Sequence, residues 1–254
     1  MVHVHEEDVL SLVGRAEARR RFPDLGFSDP AAENVLTKLE LDAGRFDDRR
    51  LRASMMRTMV VDGIVRQFFE RHPQGLAVAL NPGLCTRFSR MDNGVLRWIE
   101  LEPPGFAEFK SSLFDPSERH IIATCCSVGC TGWMRRLRGA EDVPTILIAQ
   151  GALLRAHVAD RDAFFLRAAE WLPAGTELVM DYDAKAPIRP SSLRANVSLE
   201  VGDGCGGWAR FPRMRFVSSG EYAPRLAHEL SGLNAVSRLF KGNAGPSVAH
   251  LRFV

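Results

Sequence analysis

The sequence AVALNPGLCTRFSR, at residues 77–90, contains the strongest indication of how this chain folds. A short apolar run ends in a turn of Asn81, Pro82 and Gly83, and polar residues follow. Four to eight apolar residues bounded by turn-forming residues are typical of a strand buried on both faces, as parallel strands covered by helices are. Ligands of open α/β sheets bind just beyond the carboxyl ends of such strands. We therefore predict the first strand of an α/β sheet, with a ligand crevice near residues 81–87.

The composition is that of an ordinary globular protein. The chain has 254 residues, enough for one sizeable α/β domain, and its hydrophobic (46%) and charged (25%) fractions are usual. A formal net charge of +2, without a polybasic run, gives no indication of a nucleic-acid partner. No apolar run reaches the roughly 18 residues that span a bilayer, and the amino-terminal region is too charged for a signal peptide. We expect a cytoplasmic protein with no membrane or nucleic-acid partner.

The chain has five cysteines, Cys85, Cys125, Cys126, Cys130 and Cys205. An odd number in a reducing compartment argues against a disulfide framework. Structural zinc requires four convergent ligands, commonly as paired C-x2-C motifs, and the spacing from Cys126 to Cys130 does not fit. We therefore predict no metal site. Cys125 and Cys126 fall within an apolar run, so we expect both to lie in the core.

Helices are predicted before the first strand. Charge and apolar spacing favour a helix over 5–22. A second helix begins with Pro30 in its first turn and with Ser28 or Asp29 as its cap. The longest periodic segment, 47–72, is a third helix that ends at a Pro and Gly signal.

Strands and helices alternate after this region. Beyond the first strand, further strands are predicted at 95–101, 120–127, 143–149 and 177–181, and helices at 103–111 and 160–172. This alternation indicates parallel βαβ units and a mainly parallel sheet. Without a repeat or linker, we predict one domain, in which residues 1–73 are a helical cover and residues 74–254 an α/β core.

In the remainder of the chain, strands no longer alternate regularly with helices. Strands predicted at 196–201 and 208–217 surround the glycine-rich loop GDGCGG at 202–207. This loop resembles a flexible lid more than a phosphate cradle, because no helix follows it directly. A helix is predicted at 224–240, and residues 247–254 could add an edge strand.

Several separate segments together resemble the leucine carboxyl methyltransferase family, including its bacterial branch of polyketide O-methyltransferases. These segments are GRAEARRRFPDLGFSDPAAENVL at 14–36, MMRTMVVDGIVRQFFERHP at 55–73, NPGLCTRFSRMDNG at 81–94, RWIELEPP at 97–104, SVGCTGWM at 127–134 and ILIAQGALLRA at 146–156. The resemblance implies an α/β class I methyltransferase (Rossmann-like) fold. It has a mostly parallel seven-stranded sheet flanked by helices, which binds S-adenosylmethionine (SAM) across the strand ends.

Four positions of the cofactor pocket match the pattern that the resemblance implies. Arg57, in an MRT motif, corresponds to the arginine that binds the methionine carboxylate, and Arg87 also matches. Gly83 is the second glycine of the first loop. Glu102 ends the second strand, where an acidic residue holds the ribose hydroxyls.

Five positions of the same pocket depart from the pattern. Asn81 replaces the first loop glycine, and Cys85 replaces an acidic residue. Cys130 replaces the aspartate that meets adenine, Gln150 a glutamate, and Arg155 a tyrosine. Each lost charge-assisted hydrogen bond is worth on the order of 1.5–3 kcal/mol, and roughly 1.4 kcal/mol is a factor of ten in affinity. We therefore expect the fold without its cofactor.

Four side chains are candidates for chemistry: Arg57, Cys85, Arg87 and Asp181. Arg57 suits the clamping of a carboxylate, and a structural role is equally open. Cys85, with Cys130 in a neighbouring loop, could act as a nucleophile or acid/base if an arginine lowers its pKa, or could be a small filler. Asp181, at a strand end, could do general acid/base work or cap a turn.

These residues favour a methyltransferase-fold enzyme that tailors an aromatic polyketide-like natural product without SAM, with no cofactor expected. Coupling of the polyketide to a small amino-acid-like nucleophile would use Arg57 for the carboxylate. One alternative is an active SAM-dependent O-methyltransferase of secondary metabolism, and another is a noncatalytic scaffold with the same fold. The expected partner is the small-molecule substrate, and a homodimer is compatible with each interpretation.

Overall fold

The computed structural model describes residues 4–137, 142–182, 214–217 and 247–254. The strands in these ranges are β1 (Leu76–Leu80), β2 (Arg97–Glu102), β3 (His120–Thr124), β4 (Thr145–Ala149), β5 (Glu177–Tyr182), β6 (Met214–Val217) and β7 (Ser247–Phe253). They form one seven-stranded sheet with the order β3-β2-β1-β4-β5-β7-β6. Strands β1 to β5 are parallel, whereas β7 is antiparallel to both β5 and β6. The predicted α/β class with a mainly parallel sheet is confirmed.

Helices flank this sheet and precede it in the chain. They are α1 (Glu6–Arg21), α2 (Pro30–Lys38), α3 (Asp48–Arg71), α4 (Arg87–Met91), α5 (Phe106–Leu113), α6 (Ala152–Arg155) and α7 (Val158–Trp171). In the described ranges, none of the helices has the length and apolar character needed to cross a membrane.

Strand β1 is buried on both faces, as its apolar run predicts. Successive side chains of a strand point to opposite faces. Val78 belongs to an apolar cluster with Phe164 of α7, and Ala79 to a cluster with Phe68 of α3. The ladder from β1 to its two neighbours therefore lies at the centre of the molecule, between a layer containing α3 and a layer containing α7.

The amino-terminal helices begin where capping residues predict. The Asp29 carboxylate accepts a hydrogen bond from the Ala32 N–H at 3.0 Å, and Pro30 occupies the first turn of α2. Helix α3 has two partners, because its first half packs on α1 through Leu51 and its second half packs on the sheet through Phe68. The division into a cover and a core at residue 73 stays a prediction.

The predicted strand at 247–254 exists, but its expected place at the edge of the sheet is wrong. Strand β7 lies between β5 and β6. Its alternate residues Ala249, Leu251 and Phe253 are all buried in the same apolar cluster, which requires layers of protein around the strand. Strand β6 falls within the predicted segment 208–217 and is antiparallel to β7.

Three predicted elements lie outside the described residues: the strand at 196–201, the loop at 202–207 and the helix at 224–240.

Strand β3 ends at Thr124, earlier than its predicted end at residue 127. The Cys125 thiol donates a hydrogen bond to the Ser127 carbonyl at 3.2 Å, so the chain already turns at this point. Cys125 is buried as predicted, but Cys126 is exposed, and the expectation that it lies in the core is wrong.

A buried carboxylate joins β5 to β7 and to α3. Glu177 accepts hydrogen bonds from Arg71 Nη1 at 3.0 Å and from Arg252 Nη2 at 2.7 Å, and it pairs with His250 Nε2 at 2.8 Å. Burial favours the protonated acid, but the hydrogen bonds from His250, Arg71 and Arg252 outweigh it and hold the pKa of Glu177 below its usual range. Glu177 therefore fixes the carboxyl-terminal half of the sheet against the helical layer.

We expect Glu177→Ala to lower the free energy of unfolding by about 2–3 kcal/mol, because three hydrogen-bonded partners lose their acceptor. Urea denaturation followed by circular dichroism measures the change. Asp24→Ala removes an ion pair with Arg52 that is largely exposed and should leave the midpoint close to that of the parent protein. An equal loss of unfolding free energy in the two variants would contradict the stabilising role of Glu177.

Candidate functional site

The loop after β1 has the backbone shape of a ligand-binding loop, although its first residue is not glycine. Asn81 has a φ of +42° and Gly83 a φ of +58°. Asparagine is one of the few residues with a side chain that tolerates this left-handed region. The Asn81 N–H also donates to the Leu101 carbonyl at 2.8 Å, which ties the loop to β2. The backbone conformation expected of glycine is thus retained at Asn81.

A cavity of about 590 Å³, which we call the larger cavity, lies beyond the carboxyl ends of β1, β2 and β3. Small-molecule sites usually have volumes of about 300–1,000 Å³. Asn81 and Gly83 line it from β1, Glu102 from β2, and Cys126 and Val128 from the loop after β3. The predicted crevice near residues 81–87 therefore exists in the described structure.

Glu102 is the acidic group at the β2 wall of the larger cavity. Its Oε1 accepts a hydrogen bond from Lys110 Nζ at 3.1 Å, and Lys110 also pairs with Glu100. Burial is the main cause that raises the pKa of Glu102 to about 7, with Glu100 adding to the shift and Lys110 opposing it. Glu102 therefore gains its charge near neutral pH, and above that pH it can accept hydrogen bonds from ligand hydroxyl groups.

A second cavity of about 30 Å³, the smaller cavity, adjoins the first. Among the residues that line it are Arg57, Cys85, Arg87 and Gln150, which the sequence singled out. They come from α3, the loop after β1, the start of α4 and the residue after β4. The topology of the sheet therefore brings together side chains that are far apart in the chain.

Arg57 lines the smaller cavity and has a donor that no described residue uses. Its Nη1 lies 3.4 Å from Asp181 Oδ2, while Asp181 Oδ1 accepts the Gly151 N–H at 2.7 Å. Burial raises the pKa of Asp181, and Arg57 opposes that shift. Within the described residues the Nε of Arg57 is buried and makes no hydrogen bond. A donor therefore remains for a ligand in the smaller cavity.

The thiol of Cys85 lies among arginines. Burial opposes its ionisation, but Arg87, Arg15 and Arg90 together outweigh that effect and lower the pKa of Cys85. The sequence-based condition for a reactive thiol, an arginine that lowers the pKa, is thus met for Cys85.

Arg87 is held firmly by neighbouring side chains. Its Nε donates to Asp62 Oδ1 at 2.6 Å, and its Nη2 donates to Gln150 Oε1. Arg90 Nε donates to the other oxygen of Asp62 at 2.8 Å and also binds Asp29. Because Arg87 is buried and its Nε and Nη2 already donate hydrogen bonds, it supports the smaller cavity more than it offers a donor to a ligand.

Arg15 of α1 completes this arrangement. Its Nε lies 3.3 Å from Asp29 Oδ2, and its Nη2 donates to the Leu84 carbonyl at 2.7 Å. The buried Arg15 side chain therefore holds the backbone of the loop after β1. We call Arg15, Asp29, Asp62, Arg87 and Arg90 the buried arginine network.

Two predicted site residues do not line either cavity. Cys130 is exposed and precedes the short helical turn Thr131–Arg136. Asp181 is fully buried and acts on the smaller cavity through Arg57. The individual roles of the predicted site residues stay proposals.

Three further residues contribute to the cavities and were not predicted from the sequence: Asp8, Arg15 and Lys110. Arg15 falls in the first segment that resembles the methyltransferase family, which could have drawn attention to it. Asp8 stands in the acidic run HEED, which is also what the start of any helix favours, so nothing in the sequence separates it from its neighbours.

Comparison with solved structures finds methyltransferases at low similarity. No family model matches this chain, and no curated protein does. Among solved structures, the mitomycin 7-O-methyltransferase matches with 15% identity and a TM-score of 0.44 over 98% of this chain and 74% of its own. Magnesium protoporphyrin IX methyltransferase from Synechocystis PCC 6803, with bound S-adenosylhomocysteine (SAH), matches with 11% identity and a TM-score of 0.42 over 68% and 71%.

A glycopeptide N-methyltransferase complexed with SAM matches with 17% identity and a TM-score of 0.35 over 48% of this chain, which spans about half (54%) of that protein. Such likenesses concern the fold and not the activity. The strand order and the antiparallel β7 of this chain are those of the class I methyltransferase fold that the sequence predicts.

The expectation that no cofactor is bound is contradicted by these comparisons. Matched methyltransferases were solved with SAM or SAH in place. The expectation rested on replaced residues, yet Asn81 keeps the glycine conformation and Glu102 lines a cavity of suitable size. Residue type alone was therefore a poor guide to whether the pocket persists.

We expect Asp62→Asn to lower the free energy of unfolding at pH 7 by about 3–5 kcal/mol, because Arg87 and Arg90 would be left buried without their shared carboxylate. In the folded protein Arg90 and Arg87 overcome the effect of burial and lower the pKa of Asp62 below its ordinary 3.8. The stabilisation is therefore present above about pH 4 and is lost as the pH falls through the lower folded value. Denaturant titrations of both proteins from pH 7 to pH 3 should show the difference shrinking in acid, and a constant difference would contradict this role.

Proposed function

We propose that this protein is a SAM-dependent methyltransferase that acts on a hydroxyl group of an aromatic, polyketide-like small molecule in the cytoplasm. The observation that carries the proposal is the larger cavity, which lies across the ends of β1, β2 and β3 with Glu102 on its wall. This is the edge of an α/β sheet at which ligands bind. The substrate class and the link to the leucine carboxyl methyltransferase branch rest on the sequence resemblance.

The lining of the larger cavity fits an adenosine group. Glu102 would accept hydrogen bonds from the ribose hydroxyls, and the backbone of Asn81 and Gly83 would allow close approach of the ligand. Apolar walls at Pro103 and Phe106 suit a planar base. SAM, when bound, supplies an activated methyl group.

The residues of the smaller cavity would contact one oxygen of the acceptor, because its volume of about 30 Å³ admits a single group of that size. Arg57 has a buried donor available and would orient an oxygen of the acceptor. Cys85, whose pKa is lowered, is the nearby group able to take up the proton of an acceptor hydroxyl. Arg87 and Asp181 would act as positioning residues, because they contact Gln150 and Arg57.

Calorimetric titration with SAH tests the cofactor assignment. We expect the parent protein to bind SAH, and Glu102→Gln to weaken binding by roughly tenfold or more, since a charge-assisted hydrogen bond contributes about 1.5–3 kcal/mol. Glu108→Gln is the matched control, because Glu108 is exposed on α5 and lines neither cavity. No binding by the parent protein would overturn the proposed function.

The pKa of Glu102 also gives binding a pH dependence. Because the pKa is raised to about 7, the carboxylate is largely protonated at pH 6 and largely ionised at pH 8. We expect the affinity for SAH to rise as the pH increases through 7 and to level off above 8. The Glu102→Gln variant should lose this rise in affinity. A rise of equal size in the variant would show that another group causes it.

Methyl transfer is tested separately by mass spectrometry. Incubation with SAM and a panel of phenolic polyketides should yield products heavier by one methyl group. Binding of SAH without any methylated product, from any phenolic, carboxylic or amine acceptor, would favour the noncatalytic scaffold.

A further inference from the structure

Asp8 and Arg155 lie at the boundary of the two cavities, and each lines both of them. Asp8 is in the first turn of α1, and Arg155 is the last residue of α6. The Nη2 of Arg155 is 3.5 Å from Oδ1 of Asp8. This ion pair therefore separates the larger cavity from the smaller one.

Two glycines allow both charged groups to lie directly on loops that follow strands. A Cβ atom at Gly83 would be 2.7 Å from the Asp8 carboxyl group, and one at Gly151 would collide with the Arg155 guanidinium. Both glycines have a positive φ, of 58° and 78°. The two charges are thus placed where β1 and β4 end, on either side of the passage between the cavities.

The ion pair leaves both groups able to form better contacts. Charge-assisted hydrogen bonds are usually about 2.7–2.9 Å long, and the Asp8 to Arg155 distance is well above that. The Asp8 side chain is only 10% exposed, so solvent compensates it little. Burial accordingly raises the pKa of Asp8, with Arg155 opposing the shift. A ligand that carries both an ammonium and a carboxylate would give each side chain a closer partner.

We propose that Asp8 and Arg155 bind the amino-acid end of a nucleoside ligand in the larger cavity, with Asp8 accepting from the ammonium and Arg155 donating to the carboxylate. This inference rests on the proposed function and names the residues that recognise this part of the ligand. The ion pair across the boundary is exchanged for two ion pairs with the ligand. The ligand carboxylate then lies toward the smaller cavity.

The inference predicts selectivity between related ligands. 5′-Methylthioadenosine has the same nucleoside and a thioether but lacks the amino-acid group. In calorimetric titrations, Asp8→Asn and Arg155→Gln should each weaken SAH binding by about tenfold or more and should change the affinity for 5′-methylthioadenosine by less than about twofold. With decarboxylated SAH, Asp8→Asn should still weaken binding, whereas Arg155→Gln should not.

Controls separate this role from a structural one. Glu6→Gln, on the same helix and outside both cavities, should leave both affinities unchanged. Arg155→Lys keeps the charge and should recover part of the SAH affinity. Such a recovery would show that misfolding does not cause the loss of affinity in Arg155→Gln. Equal losses for both ligands in the Asp8 and Arg155 variants, or no loss for SAH, would overturn the inference. Failure of the parent protein to bind either ligand would instead overturn the proposed function.

Discussion

The buried carboxylates of Asp29 and Asp62 form ion pairs with three arginines, and these ion pairs hold the loop after β1 in place. Asp29 caps α2 and Asp62 lies in α3, while the arginines come from α1 and α4. Buried ion pairs often contribute little net stability, because desolvation offsets their attraction. Their role here is geometric. Each carboxylate pairs with two arginines, so the ion pairs fix four helices and the loop relative to one another.

The charge balance of this network has a chemical result. Three guanidinium groups face two carboxylates, and the excess positive charge acts on Cys85, whose pKa falls despite its burial. The same network holds the Leu84 carbonyl through Arg15, and Arg15 lies on the helix that carries Asp8. Because α1 and the loop are joined in this way, the charge at Asp8 keeps a fixed distance from the loop. The ion network and the walls of the two cavities thus share one scaffold.

The sequence predicted the elements that local physics determines. The run at β1 and the cap at Asp29 follow from apolar spacing and capping chemistry, whereas Glu102 was identified through the family resemblance. It could not predict the buried arginine network, because each of its ion pairs joins residues distant in the chain. The inferred loss of the cofactor failed for a related reason. Asn81 was judged by its residue type, whereas its backbone angle and its contact with β2 decide what the loop can do.

The insertion of β7 between β5 and β6 sets an order for folding. Glu177 and its partner Arg252 are 75 residues apart, so the ladder between β5 and β7 closes a long loop. Contacts of such high sequence separation form slowly, because the entropy of loop closure is lost before they are made. Before β7 pairs with it, β5 has an edge of unpaired backbone N–H and C=O groups. Such an edge can pair with other chains. Completion of the sheet therefore covers an edge that would otherwise be open to other chains.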